Sequence, residues 1–350
     1  MLNLIYFIII LGFIVLIHES GHFLFAKLFN IYVYEFSIGM GPKLFSKKSK
    51  KGETIYSIRA IPIGGFCSLA GEEGDEDKEV PRDRKLFAKP VWQRFLVMFF
   101  GAGFNFIGAI IILFLIGVIW GSTSTKPIIS KVAVDNPAYT AGLQDGDYVK
   151  KINNHKIKTS DDILIYLQVE DKTKPITFTV ERDNKEYNFK VTPKEEEVDG
   201  NKIYRIGVTV SGKVEHGITP AIKYAFVKTD SLFRQMFITI KGLFTGGLSV
   251  KQLSGPVGIY NIVGEQRQAG FENILYLVAL LSINVGFINL LPLPAFDGGR
   301  ILFLIIEKIK GSPVKPETEG LVHTVGFILL MLLMVYVTFN DILKLFKILI

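Results

Sequence analysis

Four long apolar tracts limit what this chain can fold into more than any other feature of its sequence. They cover residues 2–29, 95–120, 274–306 and 321–339. Each is long enough to cross the roughly 30 Å hydrocarbon layer of a membrane as a helix. Hydrophobic residues make up 49% of the 350 residues and the mean hydropathy is positive, which together are too apolar for an ordinary soluble protein. The sequence therefore predicts a polytopic α-helical membrane protein with about four transmembrane helices.

The loops between the tracts predict the orientation of the chain. Short loops rich in Lys and Arg stay in the cytoplasm, whereas acidic residues count little. The loop at 31–94 is rich in both, despite its acidic run GEEGDEDKE, and the loop at 307–320 contains three lysines. We therefore expect both loops to be cytoplasmic, and the termini and the region 121–271 to be external. The N-terminus lacks the basic start and cleavage site of a signal peptide, so we expect the first tract to be retained.

Between the second and third tracts, short strand-like runs alternate with Asn, Asp and Gly turns around one helical stretch. This pattern predicts a small α/β domain at residues 126–212. Beyond it, apolar residues recur at helical spacing, which predicts an amphipathic interfacial region at 213–272. The alternative is a helix packed against the external domain. The apolar positions are Ile222, Phe226, Phe233, Met236, Phe237, Ile240 and Phe244.

The stretch HESGH places metal-binding side chains inside the first tract. His18 and His22 are four residues apart, so they share one face of a helix and can bind one Zn²⁺. Glu19 lies beside them, where a general base is needed. An acidic residue at the middle of a span costs roughly 2.5–3.5 kcal/mol on insertion scales. We therefore expect these side chains to face a cavity or to bind an ion.

A catalytic zinc site also needs a third protein ligand and one open position. In the stretch NLLPLPAFDGG, Asp297 is the only acidic residue between Glu272 and Glu307. Prolines before it and glycines after it predict an unwound segment, which a membrane tolerates where the segment lines a cavity. Counting 1.5 Å per helical residue puts Asp297 at the depth of the two histidines, near the cytoplasmic face, but His323 reaches that depth too. The unwound, glycine-rich setting favours Asp297.

Other sites and partners are excluded by composition. The single cysteine, Cys67, permits neither an intrachain disulfide nor a zinc site built on cysteines. The net charge of +7 comes from lysines spread over loops, with no nucleic-acid motif beside them. We therefore expect contact with membrane lipid and none with nucleic acid.

Taken together, these motifs resemble the site-2 protease family of intramembrane zinc metalloproteases, and its bacterial regulator-of-sigma-factor branch with one PDZ domain. HESGH in a first span, NLLPLPAFDGG in a late span and AGLQDGD in an external domain carry the resemblance over essentially the whole chain. The resemblance implies Zn²⁺ bound by His18, His22 and Asp297, with Glu19 as the general base. It also implies that the external domain is PDZ-like.

The resemblance further implies residues that bind substrate. Asn289 matches a family asparagine that contacts substrate, and GAGFNF resembles a second-span motif that makes Asn105 a substrate or packing contact. This chain has Ala102 where the family usually has proline. IYSIRAIPIGGF resembles a membrane-associated β-hairpin whose edge, at Gly64 and Gly65, can pair with an extended substrate. The alternative is a simple surface hairpin.

The implied activity is hydrolysis of peptide bonds within transmembrane segments of single-span membrane proteins, in regulated intramembrane proteolysis. The implied substrates are anti-sigma factors, with remnant signal peptides as a further class. The implied location is the bacterial cytoplasmic (inner) membrane, with the active site toward the cytoplasm. The PDZ-like domain is expected outside, where it binds peptide ends or acts as a size filter.

Two other classes of function make different predictions. A membrane metal-ion transporter predicts several metal sites along a path, whereas this chain has one compact set. A catalytically inactive PDZ scaffold predicts loss of Glu19 or of a ligand, and all four residues are present. A protease is therefore favoured.

The predicted division of the chain follows from the tracts and motifs. It runs as a first transmembrane helix at 1–30, a cytoplasmic loop with the hairpin at 31–94, a second transmembrane helix at 95–120, the PDZ-like domain at 126–212, the interfacial region at 213–272, a third transmembrane segment with the Asp motif at 273–306, a cytoplasmic loop at 307–320, a fourth transmembrane helix at 321–340 and a tail at 341–350.

Overall fold

The computed structural model describes residues 2–50, 52–72, 78–198, 201–250 and 253–349, so most of the acidic run lies outside the described residues. This part of the chain forms nine α-helices and twelve β-strands. The helices are α1 (Leu2–Leu28), α2 (Val91–Ile119), α3 (Pro137–Thr140), α4 (Ser160–Val169), α5 (Ile218–Thr245), α6 (Pro256–Ala269), α7 (Phe271–Leu290), α8 (Asp297–Lys310) and α9 (Pro316–Leu349). The strands are β1 (Val33–Lys48), β2 (Ile55–Leu69), β3 (Ser122–Thr123), β4 (Ile129–Val132), β5 (Tyr148–Ile152), β6 (His155–Lys156), β7 (Ile176–Arg182), β8 (Lys185–Val191), β9 (Lys194–Val198), β10 (Asn201–Arg205), β11 (Val208–Val210) and β12 (Val214–Glu215).

Four helices, α1, α2, α7 and α9, are long and apolar enough to cross a membrane, as the sequence predicts. Strands occupy the middle of the chain, so a membrane protein with a β-containing domain is confirmed. Residue contacts divide the chain into two compact units. Unit 1 combines Met1–Ile110 with Leu253–Ile350, and unit 2 is Ile111–Gln252.

In unit 1, helices α1, α2 and α7 approach closely because glycines lie where they meet. A Cβ atom at Gly21 of α1 would overlap the carbonyl oxygen of Phe100 on α2. A Cβ atom at Gly286 of α7 would come within 3.0 Å of the Ala102 carbonyl oxygen on α2. Small residues at such crossings let membrane helices pack backbone to backbone. These crossings fix the three helices relative to one another.

β1 and β2 form an antiparallel hairpin that packs against α1. The first part of β1 pairs with the end of β2, from Val33 opposite Leu69 to Ile38 opposite Gly65. The first part of β1 also lies beside residues 55–58, which pair in turn with the last part of β1. Within the described hairpin, residues 65–69 are therefore paired along one edge only.

A charged cluster holds the hairpin together at Glu35. The Glu35 carboxylate accepts hydrogen bonds from the Ser57 hydroxyl and from the Arg59 guanidinium, and Lys43 lies 2.9 Å away. Burial raises the pKa of Glu35, but these three donors together bring it below its ordinary value. The carboxylate is therefore charged at neutral pH and ties both strands to each other.

The third apolar tract is not one continuous helix. α7 ends at Leu290, residues 291–296 are not helical, and α8 begins at Asp297. Pro292 and Pro294 have no backbone N–H and clash with a preceding helical turn, which explains the break. Ala295 takes the left-handed conformation, with a φ of 72°. The unwound segment that the prolines predict is present, and it divides the predicted segment at 273–306 into two helices.

α6 joins the first turn of α1 to the C-terminal part of α9 within unit 1. Arg267 of α6 donates a 2.8 Å hydrogen bond to Asn3 of α1. Asp341 of α9 accepts hydrogen bonds from the N–H groups of Gly255 and Gly258 at the start of α6, both at 2.8 Å. The first N–H groups of a helix lack partners within it. Asp341 therefore caps α6 from a different helix.

Unit 2 is built on a four-stranded sheet with the strand order β6-β5-β7-β8. Alternate residues of these strands enter one core together with Ile163 of α4. α4 begins with a capping box, in which the side chains of Thr159 and Asp162 each accept a hydrogen bond from the other's backbone N–H. The buried strand residues are Val149, Ile152, Ile176, Phe178, Val180 and Val191.

α5 packs along α4 through two ion pairs. Lys228 donates to both carboxylate oxygens of Asp161 at 2.7 and 2.8 Å, and Arg234 lies 3.0 Å from Asp162. One face of α5 therefore packs against α4 of the predicted external domain, as the alternative interpretation of this region expects. The interfacial role of the other face stays a prediction. That face exposes large apolar side chains, among them Phe226, Phe237 and Phe244.

Candidate active site

Three side chains from α1 and α8 converge in unit 1. Nε2 of His18 and Nε2 of His22 are 3.2 Å apart, and they lie 3.1 and 3.3 Å from Asp297 Oδ2. These three side chains are the one group in the described part of the chain that could share a metal ion. The structure thus brings together the three residues that the sequence predicts as ligands.

The size of this ligand triangle fits a metal ion. Ligand atoms about 2.0–2.1 Å from a tetrahedral zinc ion lie about 3.3 Å from one another. The measured sides are 3.1–3.3 Å. Asp297 Oδ2 is also buried and, apart from these two imidazoles, has no polar partner among the described residues. A buried carboxylate oxygen facing two imidazole nitrogens is an arrangement that a cation stabilises.

His22 is oriented by α2. Its Nδ1 lies 2.8 Å from the Val97 carbonyl oxygen, so Nδ1 carries the proton and Nε2 keeps its lone pair for the triangle. Gly101, also on α2, leaves the space that the ring occupies, because a Cβ atom there would overlap His22 Nε2. The helix crossing at Gly21 and the position of His22 therefore depend on the same part of α2.

His18 is oriented by Asn105, which is fully buried on α2. The Asn105 amide lies 3.2 Å from His18 Nδ1 on one side and 3.3 Å from the Ser282 hydroxyl on the other. Hydrogen-bond chemistry assigns the two ends of an amide. A His18 that binds metal through Nε2 carries its proton on Nδ1, which requires the amide oxygen of Asn105 to face it. Asn105 thus lies behind His18, and its contact with substrate stays a prediction.

The hairpin passes beside Glu19. Glu19 is half-buried on α1, and in the chain it lies between the two histidines. A Cβ atom at Gly65 would lie 3.8 Å from Glu19 Cγ, so β2 runs close to this side chain. Gly64 has a φ of 85° and faces Met40 inside the hairpin. Of the two glycines predicted to bind substrate, Gly65 is the one that the structure brings to the site.

The remaining candidates lie on either side of the unwound segment. Asn289 is half-buried on the last turn of α7. His323 is not part of the ligand triangle, because its Nδ1 accepts a 3.0 Å hydrogen bond from the Ala295 N–H. The geometry therefore favours Asp297 over His323 as the third ligand.

Sequence reasoning missed several residues of this site. Val97 acts through its carbonyl oxygen, which every residue has, and Ser282 is one small polar residue in an apolar tract. Gly101 did carry a signal. Glycines in both HESGH and GAGF form the small-residue pattern that is typical of close helix crossings in membranes.

Comparison with known proteins determines the family. The model of peptidase family M50 matches residues 6–333 of this chain. The chain belongs to peptidase family M50. Among M50 relatives, the regulator of sigma-W protease RasP of Bacillus subtilis is 34% identical over 98% of this chain and 99% of its own length. The zinc metalloprotease RasP of Geobacillus kaustophilus is 34% identical over 98% of both chains, and that of Bacillus licheniformis 33% over 98% and 99%.

Membership of the M50 family confirms the resemblance that the motifs carry. The ligand triangle supplies a site that could hold a metal ion, and four helices are apolar enough to cross a membrane. This M50 chain is therefore an intramembrane metalloprotease of the site-2 type, which acts in regulated intramembrane proteolysis.

Proposed function

We propose that this M50 protease is a zinc enzyme that cleaves transmembrane segments of single-span membrane proteins. His18, His22 and Asp297 are its proposed ligands, and Glu19 its proposed general base. The observation that carries this proposal is the ligand triangle, with sides of 3.1–3.3 Å and a carboxylate on the neighbouring residue. Two imidazoles and one carboxylate form a donor set common in catalytic zinc sites. Two relatives are named as zinc metalloproteases.

Each residue of the proposed site has a separate role in peptide-bond hydrolysis. Bound zinc supplies a Lewis acid that makes water more acidic and polarises the scissile carbonyl. The Glu19 carboxylate takes a proton from the attacking water and returns it to the leaving nitrogen. Asn105 holds His18 so that its Nε2 points into the triangle. Asp297 is the first residue of α8, where the helix dipole favours its negative charge.

The hairpin is proposed to hold the substrate as an extended strand. A helical substrate keeps its carbonyl groups in hydrogen bonds, so it must unwind before it is cut. Residues 65–69 are paired along one edge within the described hairpin, and Gly65 lies beside Glu19. A substrate strand added to the other edge would pass the ligand triangle. Asn289 is proposed to bind the same unwound backbone.

Residues 126–212, within unit 2, are proposed to form a PDZ-like domain on the outside of the cell. Its small sheet, its capped α4 and the stretch AGLQDGD support this proposal. The exposed aromatic face of α5 is proposed to lie on the membrane surface. The Lys-rich loops support a chain in the bacterial inner membrane with its active site toward the cytoplasm. A reporter fused near Lys48 should be cytoplasmic and one near Asn184 external; the reverse would contradict this orientation.

Anti-sigma factors are proposed as substrates, with remnant signal peptides as a second class. The support is the name of the Bacillus subtilis relative, a regulator of sigma-W protease. Binding at the hairpin edge would require an extended substrate backbone and would not require a particular side chain, because strand pairing uses main-chain hydrogen bonds.

Cleavage of a model single-span substrate by the purified full chain in detergent tests the proposed function. The wild type should hold about one zinc ion per chain, as one three-ligand set requires. Glu19→Gln keeps the size of the side chain but removes the base, so cleavage should fall by about 10²–10⁴-fold while zinc is retained. His22→Ala should lose both zinc and cleavage.

Other outcomes would replace the proposal. Metal flux across a vesicle membrane without cleavage would identify a transporter. Substrate binding without cleavage by both the wild type and Glu19→Gln would identify a scaffold. Near-normal cleavage by Glu19→Gln would show that this residue is not the base.

A further inference from the structure

We propose that His323 of α9 is a positioning residue, which holds the unwound segment before Asp297 in the shape that metal binding needs. This inference rests on the proposed function. His323 Nδ1 accepts a 3.0 Å hydrogen bond from the backbone N–H of Ala295, two residues before Asp297. The bond joins the last apolar helix to the segment that carries the third ligand.

Ala295 needs an outside partner because its backbone is strained. Its φ of 72° lies in the left-handed region, where a Cβ atom crowds the following carbonyl oxygen. Hydrogen bonds within the segment are few, and the one from Phe296 N–H to the Leu293 carbonyl is long, at 3.4 Å. Without the bond to His323, Ala295 is free to relax toward a common conformation. Asp297 would then rotate away from the two imidazoles.

Close packing fixes the His323 ring against the segment. A Cβ atom at Gly326, nearly one turn later on α9, would overlap Pro294. A Cβ atom at Gly299 of α8 would come within 3.3 Å of His323 Cε1. The ring also lies beside Phe303 of α8, with the two ring centroids 5.7 Å apart. These contacts leave Nδ1 facing the Ala295 N–H.

The hydrogen bond also assigns the tautomer of His323. An Nδ1 that accepts a hydrogen bond carries no proton, so the proton is on Nε2. Nε2 is buried and makes no hydrogen bond within the described part of the chain, and Glu319 Oε1 is 3.9 Å away. The one lone pair of the ring is thus used on Ala295. His323 therefore acts through the ligand segment and does not bind the metal itself.

The surroundings of this hydrogen bond decide what its loss would do. His323 lines a cavity of about 750 Å³ together with Gly320, Thr324 and Arg300. Ala295 itself is exposed, so a water molecule can bond to its N–H once this group is released from His323. The main effect of losing the bond is then greater backbone mobility of residues 291–296. The Ala295 N–H still has a hydrogen-bond partner, and the helices stay folded. We expect the ligand geometry to suffer more than the fold.

Transfer of zinc from the loaded full chain to a chelator tests the proposal. His323→Leu removes the acceptor, and zinc affinity in competition with the chelator should fall by about 10–100-fold, as is typical when a residue behind a metal ligand is lost. His323→Asn places an amide oxygen near the position of Nδ1 and should restore most of the retention. Thr324→Val changes the next residue, which lines the same cavity, and should retain zinc like the wild type.

A second variant tests the strain at Ala295. Glycine takes the left-handed conformation without a penalty, so Ala295→Gly combined with His323→Leu should recover part of the zinc retention. A role of His323 in packing alone would give no such recovery. Amide hydrogen exchange across residues 291–298 should rise in His323→Leu and return toward the wild-type rate in His323→Asn.

The outcomes separate this inference from the proposed function. A wild type that binds no zinc would overturn the proposed function. A wild type that holds zinc, with a His323→Leu variant that holds it equally well, would overturn the inference alone. Zinc loss from His323→Leu that neither His323→Asn nor Ala295→Gly relieves would also overturn it.

Discussion

α2 and α9 are alike in sequence but differ in how they are held. Both are long apolar helices, of 29 and 34 residues. In the most apolar stretch of α2, 44% of the residues are buried within the protein, whereas in α9 the share is 6%. Apolar length alone therefore does not show which helix belongs to the packed centre of a membrane protein and which one faces lipid.

The difference shows two ways to fix a helix. α2 is fixed by backbone contacts at Gly21 and Gly286 of its neighbours, and the same stretch of α2 orients both histidines. α9 is fixed near its two ends by hydrogen bonds, at His323 and at Asp341. Lipid offers no hydrophobic force that would press such a helix inward. A substitution at one contact of α9 should therefore leave the other contact intact. A substitution at one contact of α2 should disturb the neighbouring contacts of α2 as well.

The largest effect is expected at the packed centre. Gly101→Ala places a Cβ atom on His22 Nε2, so the imidazole must leave the triangle. Zinc content should fall well below one per chain, and cleavage by about 100-fold, because loss of a ligand removes metal-ion catalysis. Metal analysis and the cleavage assay measure both.

Gly103→Ala is the matched control for Gly101→Ala. The atoms nearest to its new Cβ atom would belong to the rings of Phe99 and Phe100, at 3.1 Å or more, and these rings can shift. It should keep zinc and most activity. Normal zinc content in Gly101→Ala would show that α2 is less rigid than its glycine contacts imply.

A smaller effect is expected where α9 meets the unwound segment. Gly326→Ala drives a Cβ atom into Pro294, and such overpacking typically costs about 1–3 kcal/mol. Because the displaced segment leads to Asp297, cleavage should fall about tenfold while the protein still folds. A drop in thermal stability with cleavage unchanged would place the strain outside the site.

At the other contact of α9, the effect should appear in stability alone. Asp341→Ala removes the acceptor for two N–H groups of α6, and loss of a helix cap costs about 0.5–2 kcal/mol. Thermal unfolding in detergent should shift down, while zinc content stays at the wild-type level. Asp341→Asn keeps one acceptor oxygen, so its unfolding temperature should lie between those of the wild type and Asp341→Ala. Zinc loss in Asp341→Ala would mean that the two contacts of α9 are coupled.

The smallest effect is expected at Gly320 of α9. A Cβ atom there would meet nothing within 4 Å, and alanine favours a helix over glycine by up to about 1 kcal/mol. Gly320→Ala should therefore be neutral or slightly stabilising in the same unfolding measurement. A marked loss of cleavage with zinc retained would reveal a substrate that packs against this face of α9.

The sequence predicts two kinds of feature in this molecule: long apolar tracts, and polar groups that are costly to place inside such tracts. Apolar tracts predict the four helices, because a span needs a fixed length. His18, His22 and Asp297 are predicted as neighbours because polar groups in apolar tracts need partners, and the structure brings them together. The break between α7 and α8 also follows, since proline ends a helix.

Contacts between distant residues could not be predicted in the same way. His323 appeared as a rival ligand because depth is all that the sequence gives for it, while its real partner is a backbone N–H. The resemblance makes Asn105 a substrate or packing contact, and the structure buries it against His18, a partner that the motif does not indicate. The docking of α5 depends on ion pairs between charges that look solvated in the sequence. In each case the contact joins residues far apart in the chain, and no sequence motif indicates which residues will meet.

The ligand triangle also has a consequence for how the protein is made. His18 and His22 belong to the first helix, whereas Asp297 lies 275 positions after His22. At about 5–20 residues per second, a ribosome needs roughly 15–55 s to cover that distance. During that time the nascent chain carries two ligands of the triangle and lacks the third. The complete triangle first exists once Asp297 has been made, so a copy that is still short of α8 has no assembled site with which to cut its neighbours.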